Sequence, residues 1–291
     1  MSALNRLVSL NAPGLFVLLW STGFIGAKYG LPHAEPFTLL FLRFALTLLL
    51  LAPLVLWYRP EMAMSWRERG HLMASGLLLH GVYLGGIFTG IKLGLSAGLT
   101  ALIVGLQPLL TSLVAPMLFG ERTNALHWLG ILIGFGGIFL ILGAAPSVSH
   151  TAPALLAVVA ALFGITAGTL YQKRYCTRHD LLAVAVHQYL PTLALFGIGA
   201  LMFETREIAW TPQFVGALLW LVLALSIGAI LLLTHLIKHG EASKVSSLFY
   251  LVPPATAIEA WLLFDEPLGL LKVAGIALVA LGVYLVMKGK T

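Results

Sequence analysis

Arg43 and Glu259 stand inside long apolar runs of this chain, and so do His80 and His187. A charged side chain at the centre of a membrane costs about 3 kcal/mol on insertion scales, and it usually faces the bundle interior with a partner. Arg43 lies about six residues from one end of its run, and Glu259 about five residues from the end of its own run on the same side. They share a depth, which predicts an ion pair that must loosen for a pathway to open. The alternatives are snorkelling of Arg43 to the surface, as expected also of Lys28, or two unrelated structural bonds. Histidine titrates near neutral pH and a buried carboxylate can carry a proton. His80, His187 and Glu259 are therefore candidates for proton coupling.

A second group could hold an organic molecule. Trp20 and Ser21 lie at mid-depth in the first run, and Tyr83 follows His80 by three residues. Thr100, Gln107 and Thr111, at offsets of seven and four, share one helical face. Tyr250 and Ser226 reach a similar depth. Aromatic walls suit an apolar side chain, while Gln107, His80 and Tyr83 could bond an amine or a carboxylate. The bland alternatives are ordinary packing for Trp20 and Tyr250, and an interhelical hydrogen bond for Gln107 and His80. Pro108, Pro253 and Pro254 fall near the middle of their runs. A helical proline removes an amide donor and frees the carbonyl four residues earlier. Such groups survive only where protein or a wet cavity covers them, so these prolines read as hinges and cavity wall, the alternative being static kinks packed against neighbours.

These residues need elements to place them. A membrane-crossing helix takes about 20 mostly apolar residues. Ten such segments are predicted, over roughly 13–30, 37–57, 71–91, 97–118, 126–143, 153–173, 181–203, 213–237, 245–264 and 268–287. Gly, Pro and charge clusters mark the breaks. With the N-terminus cytoplasmic, twelve of the 17 Lys and Arg fall on the inner side and two, Lys92 and Arg206, on the outer. The positive-inside rule then puts both termini in the cytoplasm. The fold class expected is an all-α membrane protein.

Composition agrees. Of 291 residues, 59% are hydrophobic and 10% charged, with a mean hydropathy of +0.97. Soluble domains carry about 25% charge, so a soluble enzyme, a disordered chain and a nucleic-acid-binding domain are excluded. The single cysteine, Cys176, permits no intrachain disulfide or cysteine metal cluster. The segment 94–98 matches Gly-x-Ser-x-Gly, but Ser96 opens a membrane helix and reads as its N-cap. His235 and His239, beside Lys238, read as a solvated rim and not as a metal site. No Walker motif is present, and the two aspartates, Asp180 and Asp265, lie far apart. No cofactor, no metal and no enzymatic activity is expected.

Shifting the sequence by 145 positions places Thr89 on Thr234, Pro108 on Pro253, Glu121 on Glu266, Gly130 on Gly275 and Gly137 on Gly282. Upstream the match is weaker and takes a gap, with Gly23 near Gly164 and Arg43 near His187. Two five-helix halves, 1–145 and 146–291, are predicted. Five is odd, so the halves cross in opposite senses, an arrangement recurrent in secondary transporters. The runs Trp20-Ser21-Thr22-Gly23-Phe24, Leu42-Arg43-Phe44, Leu106-Gln107-Pro108-Leu109 and Phe119-Gly120-Glu121-Arg122 carry a family resemblance. So do Leu251-Val252-Pro253-Pro254 and Phe264-Asp265-Glu266-Pro267 in the second half. The chain resembles the EamA-type carriers of the drug/metabolite transporter superfamily, and within it the YddG-like amino-acid exporters. That resemblance implies a ten-helix inner-membrane carrier that exports amino acids or related small metabolites by alternating access, as a monomer or homodimer. Its partners would be a small-molecule substrate, the lipid bilayer and, as coupling ion, protons. Drug or nucleoside/sugar-type carriers of the same fold, or a passive channel, are the alternatives.

Overall fold

Apolar runs become helices and the punctuation between them becomes turns in the structure, a computed structural model that describes residues 3–60, 64–119, 124–143, 152–176, 178–229, 232 and 251–288. The helices are α1 (Ala3–Gly30), α2 (Pro36–Tyr58), α3 (Trp66–Lys92), α4 in two pieces (Ala97–Val104 and Gln107–Phe119) and α5 (Ala125–Gly143). They continue as α6 (Ala152–Tyr175), α7 (Leu181–Phe203), α8 (Pro212–Ala229), α9 (Val252–Phe264) and α10 (Leu270–Lys288). No strand occurs among the described residues. Six helices, namely α2, α3, α4, α6, α7 and α8, are long and apolar enough to cross a membrane. Large apolar side chains such as Leu49, Leu56, Leu201, Phe203 and Leu270 are exposed around the outside, a surface that fits lipid and not water.

The starts follow capping chemistry. Ser96 accepts from the Leu99 amide at 3.1 Å, as its N-cap reading required. Asp180 caps α7 through Leu182 and Thr211 caps α8 through Phe214. Pro36 and Pro212 each open a helix, where the missing N–H costs nothing. Glu204, at the end of α7, accepts from the amides of Phe37 and Thr38 and so covers the start of α2. Glu35 reciprocates by accepting from the Thr205 amide at 2.6 Å and the Thr205 hydroxyl at 2.8 Å.

The Thr205 hydroxyl holds the Glu35 carboxyl below its usual value of 4.5. Its stabilisation is present above about pH 4.5 and is lost as pH falls through the lowered folded value. Glu35→Gln should therefore flatten the acid limb of a thermal-midpoint-against-pH curve by lowering the midpoint slightly at pH 7, toward that of the protonated wild type, while leaving it unchanged at low pH.

The bounds of two helix pairs keep the 145-residue spacing without a gap. α2 and α7 have equal length and start at 36 and 181; α5 and α10 start at 125 and 270 and end at 143 and 288. The upstream alignment thus needs correction. Arg43 is matched by Gln188, not His187, and Gly23 by Gly168, not Gly164. Thr47 bonds back to the Arg43 carbonyl at 2.7 Å, and Thr192 to the Gln188 carbonyl at 2.8 Å, the same bond in both halves. Packing obeys the same exchange. α2 packs on α7, α4 on α9 and α5 on α10, while α1 packs on both α8 and α9 as α6 packs on α3 and α4.

The α5–α10 seam is the closest. A Cβ on Gly130 would meet the Gly282 carbonyl oxygen at 2.5 Å, and one on Gly137 the Gly275 carbonyl oxygen at 2.7 Å. Rising numbers on one helix meet falling numbers on the other, so the equivalent helices run antiparallel.

Candidate functional site

Two short segments depart from α-helical winding. Leu77–Val82 within α3 and Trp220–Ala229 within α8 form π-turns. They are counterparts under the 145-residue shift. A π-turn inserts an extra residue per turn and turns side chains inward, and such turns are frequent at functional sites. One carries His80; the other carries Ser226, whose hydroxyl donates to the Leu221 carbonyl at 3.1 Å.

Between these turns lies a buried polar cluster. Arg43 on α2 is 8% exposed and donates from Nε to Ser226 Oγ at 3.0 Å. Tyr83, Tyr189 and His80 lie within electrostatic reach of its guanidinium. The Tyr83 hydroxyl also bonds the Trp20 side chain. His80 packs edge-on against Tyr189, with ring centres 5.0 Å apart, and both rings contact Phe44. Gln188 on α7 ties the far side together. Its Oε1 lies 3.3 Å from His80 Nε2, and its Nε2 donates to Ser75 at 2.9 Å and to Gln172 at 3.3 Å.

Of the residues expected to bind substrate, Trp20, His80 and Tyr83 therefore meet at this cluster together with Arg43. Ser21 turns elsewhere. Its hydroxyl lies 2.6 Å from Glu259 Oε1, and its carbonyl accepts from Thr256 at 3.3 Å. The predicted Arg43–Glu259 ion pair is not formed; each has its own serine partner, on α8 and α1 respectively. Glu259 Oε2 is sealed from solvent and has no hydrogen-bond partner among the described residues. Among the described residues His187 bonds within its own helix, Nδ1 to the Ala183 carbonyl at 2.8 Å. Its neighbour Gln188 holds the interior position, because one residue turns a helix by about 100°.

The shared face of Thr100, Gln107 and Thr111 is also broken. α4 stops at Val104, turns through Gly105 and Leu106, and restarts at Gln107. Gln107 donates to Thr111 at 3.1 Å within the second piece. Thr100, fully buried in the first piece, has no hydroxyl partner among the described residues. Pro108 thus sits in the first turn of a new helix and not in the middle of a continuous one. Pro253 and Pro254 likewise occupy the first turn of α9. A proline there needs no freed carbonyl to explain it. The two breaks touch, since a Cβ on Gly105 would collide with the Pro253 ring. Pro253 and Pro254 line a small cavity of about 10 Å³ with Leu102, Gly105 and Ile276, room for roughly one water. Tyr250 lies outside the described residues, as do His235 and His239.

Lys28 does not snorkel. Its ammonium lies 2.6 Å from Glu266 Oε1 and 4.2 Å from the centre of the Phe264 ring. Glu266, 9% exposed, also accepts from the amides of Ala97 and Gly98 at the start of α4. One carboxylate thereby joins the ends of α1, α4 and α9. Among the described residues no three His, Cys, Asp or Glu side chains are placed to hold a metal ion.

Gln188, Tyr189 and Ser75 were missed in the sequence. The ungapped repeat was the available signal, since it puts Gln188 where Arg43 stands. Gln188→Leu would leave Ser75 and His80 short of a buried partner. A loss of about 1–3 kcal/mol is expected, seen as a lower thermal midpoint of the detergent-solubilised protein.

Comparison with known proteins follows the same lines. The model of the EamA-like transporter family matches residues 14–143 and again 152–288. A probable amino-acid metabolite efflux pump of Salmonella typhimurium is 26% identical over 93% of this chain and 92% of its own length. The uncharacterized inner membrane transporter YedA of Escherichia coli is 26% identical over 94% of this chain and 88% of its own. The uncharacterized transporter YvbV of Bacillus subtilis is 29% identical over 66% of this chain, a match that spans 63% of that relative. A solved crystal structure superposes with a TM-score of 0.70 at 23% identity, covering 94% of this chain and 95% of that one.

Proposed function

The chain belongs to the EamA-like transporter family, and from that premise we propose that it exports amino acids or related small metabolites by alternating access. It is a multi-pass membrane transporter and not an enzyme. The finer reading has ten spans in two inverted five-helix halves, with both termini cytoplasmic and the substrate held between the halves. Antiparallel pairing of α5 with α10 supports the inversion.

The observation that carries the reading is the buried polar cluster of Arg43, His80, Tyr83, Gln188 and Ser226. It is assembled from α2, α3, α7 and α8, two pairs of repeat counterparts. Secondary carriers place the substrate at such a repeat interface, near the midplane. A purely structural bundle has no need of an arginine there and bears its cost. The sealed, unpartnered Glu259 Oε2 is the candidate proton carrier.

Purified protein in liposomes tests this, with radiolabelled amino acids and counterflow measured with and without a pH difference. Saturable, substrate-specific counterflow is expected. A flux that never saturates indicates a channel, and no flux of any amino acid or metabolite tested removes the reading. Independence from the pH difference removes the proton coupling alone.

A further inference from the structure

Arg43 carries a full positive charge that no described carboxylate neutralises. Its hydrogen bond among the described residues runs from Nε to the neutral Ser226. The groups in electrostatic reach are Tyr83, Tyr189 and His80, none of them a carboxylate. Arg43 is buried, and among the described residues Nη1 and Nη2 make no hydrogen bond. An enclosed charge without a counter-ion is costly, and the guanidinium edge is a rigid fork that matches a carboxylate through two parallel N–H···O bonds.

We propose that the free edge of Arg43 binds the carboxylate of the transported molecule, so that the carrier selects small organic monocarboxylates. The proposal rests on the export reading and assigns the part of the substrate recognised. The charge count fixes the anion class. One guanidinium, with no Lys or second Arg in reach among the described residues, balances a single negative charge; a phosphate, at about −1.5 to −2, is left in excess. The walls fix the body of the ligand. Phe44, Tyr83, Tyr189 and Trp20 present rings around the charge, which suits an aromatic or branched apolar side chain. The Nε bond to Ser226, itself seated in the α8 π-turn, orients the fork. Glu259 is engaged by Ser21 and not by Arg43.

The test uses full-length protein in liposomes and a matched ligand series: phenylalanine, phenylalanine amide, phenethylamine and phenyl phosphate, with leucine and its amide as a second pair. Competition by the acids is expected to exceed that of the amides and the amine by at least about tenfold, the worth of a charge-assisted bond. Arg43→Gln should lose the acids by the same factor, and Arg43→Lys should retain part of it. Both variants are checked for monodispersity and thermal midpoint, and the wild-type series needs no variant at all. Amides or phenethylamine competing as well as the acids overturn the proposal while leaving the export reading intact. Phenyl phosphate competing equally overturns the carboxylate assignment, and so does a folded Arg43→Gln with unchanged affinity for the acids. If nothing is transported, the export reading falls; ligand-induced tryptophan fluorescence then decides the anion site. A response to the acids that Arg43→Gln abolishes sustains it, and no response overturns it.

Discussion

Gly282→Val should abolish recovery of folded protein from the membrane, or lower its thermal midpoint by ten degrees or more. A Cβ at Gly282 would meet the Gly130 carbonyl oxygen at 2.5 Å, the Gly134 amide nitrogen at 2.5 Å and the Gly134 Cα at 2.7 Å. All three are backbone atoms, so no side chain can rotate out of the way. The helices must separate by about an ångström. Dispersion contacts then weaken along the whole α5–α10 seam, since each pair of atoms loses much of its well over such a gap. Overpacking in a core costs about 1–3 kcal/mol, occasionally more, and this site falls at the upper end because neither partner can yield. In a membrane no water-driven burial offsets the loss, because lipid tails are as apolar as the helix surfaces. Gly136→Val is the control. Nothing lies within 4 Å of a Cβ there, so its midpoint should stay near that of the wild type. Equal midpoints for the two variants would contradict the packing argument.

Glu266→Ala should be the second most damaging change. It removes the partner of Lys28 and uncovers the amides of Ala97 and Gly98. Breaking a buried pair by deleting one partner costs about 3–5 kcal/mol. Lys28 keeps 29% of its side chain exposed, so solvent returns part of that cost. A net loss of about 2–4 kcal/mol follows. Glu266→Gln, which still accepts from an amide, should lose about half as much. Lys28→Met in the Glu266→Ala background should restore part of the loss, since no unpaired charge then remains. A double-mutant cycle read by thermal denaturation in detergent measures the coupling. Additive effects would mean that the two side chains act independently.

Helix positions were legible in the sequence because about 20 apolar residues leave few other structures possible. α7 was expected over 181–203, and that is where it lies. Ser96 as an N-cap was legible because a serine before an apolar run has little else to do. The interior of the site was less so. Offsets of three, four and seven assume an unbroken α-helix, and that assumption fails within α3, α4 and α8. The turn at Gly105 and Leu106 separated Thr100 from Gln107, and the π-turns moved His80 and Ser226. Gln188 was lost to a one-residue gap in the repeat alignment. Arg43 and Glu259 were rightly marked as the costly charges, but equal depth says nothing about which way two helices face. Glu204 and Glu35 drew no notice, because capping across two helices separated by some 170 residues leaves no local pattern.

The paired π-turns also carry a history. Extra-wound turns at Leu77–Val82 and Trp220–Ala229 keep the 145-residue register with no insertion between them. Had each half acquired its additional residue independently, the two events would have had to strike the same spot. A single insertion that preceded a doubling of the sequence would account for both, and the irregular turn would then be older than the full-length chain.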